Sequence, residues 1–191
     1  MLGSLQPAAP DGILMLMSLY RDDPRPDKLD LGVGVYKDEN GATPVMRAVR
    51  EAERRLHETQ KTKTYLGLAG DTAFNALMIG VVFGENADRS RLRAAQTPGG
   101  TGALRLLADL VRLASPDATV WVPDPTWPNH LPILRAAGLK TKTYPYFDPA
   151  TAGIRFDAMV EALKAAPSGD VVLLHGCCHN PTGADLDPGQ W

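Results

Sequence analysis

Between residues 92 and 174, short apolar runs rich in β-branched residues alternate with amphipathic stretches of helical period, and no other feature restricts the fold as much. Residues 94–96 lead into a glycine loop and a helix over 103–114. Residues 119–122 lead into a loop carrying Trp127 and a helix around 131–137. Residues 139–144 form the next strand, 156–165 the next helix and 171–174 the last strand. Such a βαβ series implies an α/β fold with a mostly parallel sheet and right-handed crossovers.

Earlier residues supply helices without this alternation. Asp11 caps a short helix whose residues Ile13, Leu14, Leu16, Met17 and Leu19 suit docking against a larger body. The segment 22–27, with two prolines among charges, reads as a surface linker, and residues 38–41 as a turn. Thr43-Pro44 predicts a helix start, with Thr43 as cap and Val45, Ala48, Val49, Ala52 and Leu56 as a buried stripe. Asp71 predicts the cap of a further helix over 72–83, ended by Gly84. Asp187-Pro188 has the form of another helix start, and the chain is expected to be truncated there.

Charge and cysteine content exclude several classes. A net charge of -2, with basic residues scattered among acids, argues against binding nucleic acid. The longest apolar run near the start is too short to span a bilayer, and no leader-like segment precedes it, so a membrane role is not expected. Cys177 and Cys178, the only cysteines, are neighbours and form no ordinary bridge. A cytoplasmic location is the expectation.

Three polar clusters follow strand-like runs, where open parallel sheets bind ligands. Gly99-Gly-Thr-Gly102 enters a helix, so its N–H groups would favour a phosphate, with Thr101 as a further donor; a plain tight turn is the alternative. It is no dinucleotide fingerprint, since Arg105 occupies the third glycine position, and no Walker loop. Trp127 would stack on a flat ring or seal the core edge. In His175-Gly-Cys-Cys-His-Asn-Pro-Thr-Gly183, the proline restricts Asn180 so that its amide can address a ligand. Adjacent cysteines do not match zinc-ligand spacing, so no metal is expected, and no base for a nucleophilic thiol is identifiable.

Five segments together resemble the aspartate and aromatic amino-acid aminotransferases, pyridoxal-phosphate enzymes of fold type I. They are Leu31-Gly-Val-Gly-Val-Tyr-Lys-Asp-Glu39, Thr64-Tyr-Leu-Gly67, Gly99-Gly-Thr-Gly-Ala-Leu-Arg105, Trp127-Pro-Asn-His130 and the run from His175 to Gly183. The resemblance implies a three-layer α/β fold, with residues 1–43 in the small domain and lid and 44–191 in an incomplete large domain. It implies pyridoxal 5'-phosphate as cofactor and an amino acid and a 2-oxo acid as substrates. Gly100 and Thr101 would hold the phosphate, Trp127 would stack on the ring, and Asn180 would bond its phenolic oxygen and reach the substrate carboxylate. Gly34 would line the substrate side, and Tyr65 would cross a homodimer interface to the other subunit's phosphate. His130 and His175 would lie behind the ring. The family's Schiff-base lysine and carboxylate-binding arginines come from later in its chains, and none of Lys28, Lys37, Lys61, Lys63, Lys140, Lys142 or Lys164 stands in that lysine's context. The resemblance therefore implies an inactive polypeptide when these residues stand alone, or else a non-enzymatic truncated or degenerate relative.

Overall fold

The computed structural model describes Gly3, residues 12–30, Gly32 and residues 34–191. Asp11, Leu31 and Val33 lie outside the described residues, as do the side chains of Ile13 and Leu14. Two compact units divide between Thr64 and Tyr65.

The first unit contains helices α1 (Gly12–Asp22) and α2 (Arg47–Thr59). Between them, Asp38 closes the expected turn, its Oδ1 accepting from the N–H groups of Asn40 and Ala42. The start of α2 differs from expectation: the Thr43 hydroxyl donates to the Tyr36 carbonyl at 3.0 Å, and the helix begins later, after Met46, with no side-chain cap. A hydroxyl engaged upstream is not free for helix N–H groups. The expected buried stripe is also overturned, since α2 buries no residue and Val49 and Leu56 are exposed. Its polar face instead carries a Glu51–Arg54–Glu58 network with Arg55, an arrangement worth only tenths of a kcal/mol per pair.

In the second unit, α3 (Thr72–Phe83) begins and ends as its sequence predicts. Asp71 accepts from the Phe74 N–H at 2.8 Å, and Gly84 terminates the helix at φ +76°. Residues 94–96 form no strand. Gln96 is drawn to the preceding turn instead, donating its N–H to the Ala69 carbonyl and accepting from the Asp71 N–H, each at 2.9 Å. Gly70 is required there, because its φ is +85° and an added Cβ would lie 2.4 Å from the Gln96 Cβ.

The sheet itself contains β1 (Thr119–Asp124), β2 (Lys140–Pro145) and β5 (Val171–Val172), all parallel in the order β2-β1-β5. A separate antiparallel pair, β3 (Phe147–Asp148) with β4 (Gly153–Ile154), sits between β2 and α6 (Phe156–Lys164) in the chain. Alternation along β1 builds the layers. Val120 and Val122 pack with Ala108 of α4 (Gly99–Ala114), Leu134 of α5 (His130–Ala136) and Leu139. Trp121 points the other way, into a cluster with Tyr144, Tyr146 and Met159 of α6. A central strand covered on both faces explains why Val120, Trp121 and Val122 are all buried. Asp170 ties the strands together at their start: one oxygen accepts from the Thr119 N–H at 2.9 Å and the other from the Trp121 indole at 2.8 Å.

Candidate cofactor site

The chain leaves β1 toward β2 on one side and returns as β5 on the other, so the order reverses between β1 and β5. Ligands of open α/β sheets bind beyond the carboxyl ends of strands at such a reversal. The loop after β1 carries Thr126 and Trp127 and runs into His130 at the start of α5; the loop after β5 carries His175, His179 and Asn180. Both loops contain a cis proline bond, at Asp124-Pro125 and Asn180-Pro181. A short reversal over residues 115–118 joins α4 to β1. Helix α4 therefore runs back along the sheet, and its amino end, with Gly100 and Thr101, lies toward the same carboxyl edge.

The two loops meet through a row of rings. Trp127 lies edge-on to His130 at 5.3 Å, His130 lies 5.4 Å from His175, and His175 lies 4.2 Å from His179. His179 then stacks on Tyr146 at 4.2 Å and 12°. Hydroxyls fix two of the imidazoles: Thr126 pairs with His130 Nδ1 at 2.7 Å and Thr182 with His179 Nδ1 at 2.8 Å. Burial holds the pKa values of His130 and His175 below the usual histidine range, and the facing His175 adds repulsion at His130. His179 is pushed down to about 4, first by burial and then by His175. The row is therefore neutral at physiological pH.

Two polar atoms in this row, His175 Nδ1 and His179 Nε2, are buried without a hydrogen-bond partner. Native proteins rarely leave such atoms unsatisfied, so both mark places where a further polar group belongs. Asp185 organises the second loop, accepting from the Cys178 N–H at 2.7 Å and the His179 N–H at 2.8 Å. These two donors hold its carboxyl below the usual range.

The amino end of α4 is open. Pro98 provides no side-chain cap, no acid occupies the first turn, and Gly99, at φ +66°, begins the helix earlier than the sequence predicts. Gly100 and Thr101 are exposed, and a Cβ added at Gly100 would meet nothing within 4 Å. A helix start with free N–H groups and open space above it suits an anion.

The structure thus brings Trp127, His130 and His175 together in one row, with Asn180 exposed on the same loop as His175. Gly34 belongs to the first unit and is exposed. Tyr65, at the start of the second unit, is fully exposed. Sequence reading missed Thr126, Tyr146, Thr182 and Asp185. Only Tyr146 had a signal, the alternation with buried Tyr144. Among the described residues, no group of three or more His, Cys, Asp or Glu side chains is arranged to hold a metal ion.

A three-layer α/β sheet with an anion-ready helix start and an aromatic row at its switch point defines a ligand-binding α/β enzyme fold. Residues 26–191 match the family described as aminotransferase class I and II, and the chain belongs to that family. It is 54% identical over 191 residues to the aromatic-amino-acid aminotransferase of Paracoccus denitrificans, covering 100% of this chain and 48% of that one. It is 48% identical over 188 residues to the aspartate aminotransferase of Escherichia coli (strain K12), covering 96% and 48%. The solved aromatic-amino-acid aminotransferase of Burkholderia pseudomallei, covalently bound to pyridoxal phosphate, superposes with a TM-score of 0.95 at 41% identity, over 100% of this chain and 49% of that one. The fold is therefore that of the fold-type-I aminotransferases, and the chain spans about half the length of the relatives it matches.

Proposed function

We propose that this chain supplies the cofactor cradle of an aminotransferase that moves an amino group between aspartate or an aromatic amino acid and a 2-oxo acid such as 2-oxoglutarate. The observation that carries this reading is an uncapped α4 amino end directed toward the carboxyl edge of the sheet where Trp127 ends the aromatic row. These residues fit pyridoxal 5'-phosphate, a flat ring bearing a phosphate. When bound, the cofactor supplies an electron-withdrawing ring that takes up and releases the amino group.

The chain's own residues have separate tasks. Gly100 and Thr101 hold the phosphate through backbone N–H groups and the Thr101 hydroxyl, and the absence of a Cβ at Gly100 lets the phosphate approach. Trp127 stacks on the ring. Asn180 donates its amide to the ring's phenolic oxygen and reaches the substrate carboxylate. His130 and His175 stay neutral behind the ring and fix its environment rather than reacting. Gly34 lines the substrate side, within a small-domain and lid segment over residues 1–43; residues 44–191 belong to the large domain. Tyr65, exposed along its whole side chain, reaches the phosphate of a second subunit in a homodimer. The working location is the cytoplasm, with small molecules rather than nucleic acid or membrane as partners.

No lysine among the 191 residues stands in the context of the family's covalent anchor, so the 1–191 polypeptide by itself does not transaminate. The test replaces the matched segment of the Paracoccus denitrificans relative with residues 1–191. The chimera is expected to bind pyridoxal phosphate and transfer amino groups, whereas purified 1–191 is not. A folded chimera without cofactor would refute the cradle, and transamination by 1–191 alone would refute the second statement.

A further inference from the structure

The two cysteines have no task in the proposed reaction, yet their setting is specific. Neighbouring side chains usually diverge, but Cys178 adopts a left-handed backbone, φ +52°, uncommon for a residue with a Cβ. The turn is held by Asp185, which accepts from the N–H groups of both Cys178 and His179, and by Gly183, whose N–H donates to the His179 carbonyl at 2.7 Å. Both thiols are free and exposed.

We propose that Cys177 and Cys178 form a preorganised vicinal dithiol that binds trivalent arsenicals as a two-sulfur chelate. The ligand class follows from donor count and softness. Two sulfurs without a third ligand are too few for a closed zinc site, whereas arsenic(III) carrying one organic group needs two thiolates to complete its shell. The thiols also sense each other: hydrogen bonding to Cys177, with the nearby Asp185 charge, raises the Cys178 pKa and favours its protonated form in the absence of ligand. In the reaction with phenylarsine oxide, two As–S bonds form and the arsenic–oxygen bond breaks. Both thiol protons leave with the oxide oxygen as one water, and arsenic stays trivalent. The chelate lies two residues before Asn180, on the loop assigned above to the cofactor.

The test uses the purified 1–191 chain and phenylarsine oxide. Native mass spectrometry should show one phenylarsenic group added, with both thiols lost to thiol titration, reversible by a small dithiol and resistant to a monothiol. Cys177→Ser and Cys178→Ser, nearly isosteric changes at exposed positions, should each weaken binding roughly tenfold or more through loss of the chelate. The same titration in denaturant should give weaker binding than the native chain. A single-serine variant that binds as tightly as the parent would overturn the chelate. Equal affinity in native and denatured chains would overturn its preorganisation by the fold.

Discussion

Replacing His179 should flatten the acid limb of stability, and the size of the effect follows from its burial. The imidazole is 2% exposed and stacked on Tyr146, with its pKa pushed down to about 4 from an ordinary value of 6.5. In the unfolded chain the same ring protonates near its ordinary value, so below that pH the unfolded state binds a proton the folded state refuses. The neutral ring's contribution is fully present above pH 6.5 and is lost as pH falls toward 4. Across that window the loss is on the order of 3 kcal/mol, a large share of a domain's net stability. The assay is chemical denaturation of wild type and His179→Gln at a series of pH values. The variant loses ring stacking and should be less stable at neutral pH, but its stability should fall less steeply through the window. Parallel pH profiles for the two proteins would refute the reasoning, as would an NMR titration placing His179 near the ordinary value. Asp185 carries the same sign at a lower pH: its depressed pKa gives stabilisation that is present above the ordinary carboxylate value and lost as pH falls below it, beneath the histidine window.

Further outcomes follow from single contacts. Tyr144→Phe keeps a buried ring but removes the hydroxyl that donates to the Leu173 carbonyl at 2.8 Å, and should cost about 1–2 kcal/mol in denaturation experiments. Gly100→Ala should leave the melting temperature nearly unchanged, since its Cβ enters open space, yet weaken pyridoxal phosphate binding in the chimera; Gly102→Ala should lower the melting temperature, because its Cβ would lie 2.9 Å from Pro98 Cδ. In the chimera, Trp127→Ala should reduce cofactor retention on dialysis and Asn180→Ala should shift the pH dependence of the cofactor's visible absorption. The 1–191 chain alone should self-associate in sedimentation experiments, because Leu77, Val81, Leu110 and Leu113 expose most of their apolar surface; a stable monomer would contradict this.

Where a local rule and the tertiary structure agree, the sequence was sufficient. The β-branched run at β1 and the Asp71 and Gly84 signals of α3 read correctly because each rests on residues within a few positions. Thr43 misled because its hydroxyl has a partner seven residues upstream, a contact no capping rule contains. The start of α4 was placed too late because glycine is a poor helix former, although first-turn residues need no intrahelical acceptor for their N–H groups. Of the site, Trp127, His130, His175 and Asn180 were legible as polar or aromatic residues after strands. Their joining into one row was not, because Tyr146 and His179 stack across 33 positions of sequence through the packing of α6 and two loops. The apolar stripe of α2 reads as core-facing yet remains exposed, and α4 packs Ala108 into the core while Leu106, Leu107, Leu110 and Leu113 stay exposed, in a chain that spans half the length of its relatives.

The central claim is that residues 1–191 carry a working cofactor cradle, and amino-group transfer by the chimera tests it most directly. With the complementary portion of the Paracoccus denitrificans enzyme attached, the protein should hold pyridoxal phosphate and pass the amino group of aspartate or an aromatic amino acid to 2-oxoglutarate. A stably folded chimera that neither retains the cofactor nor transfers the amino group would contradict it.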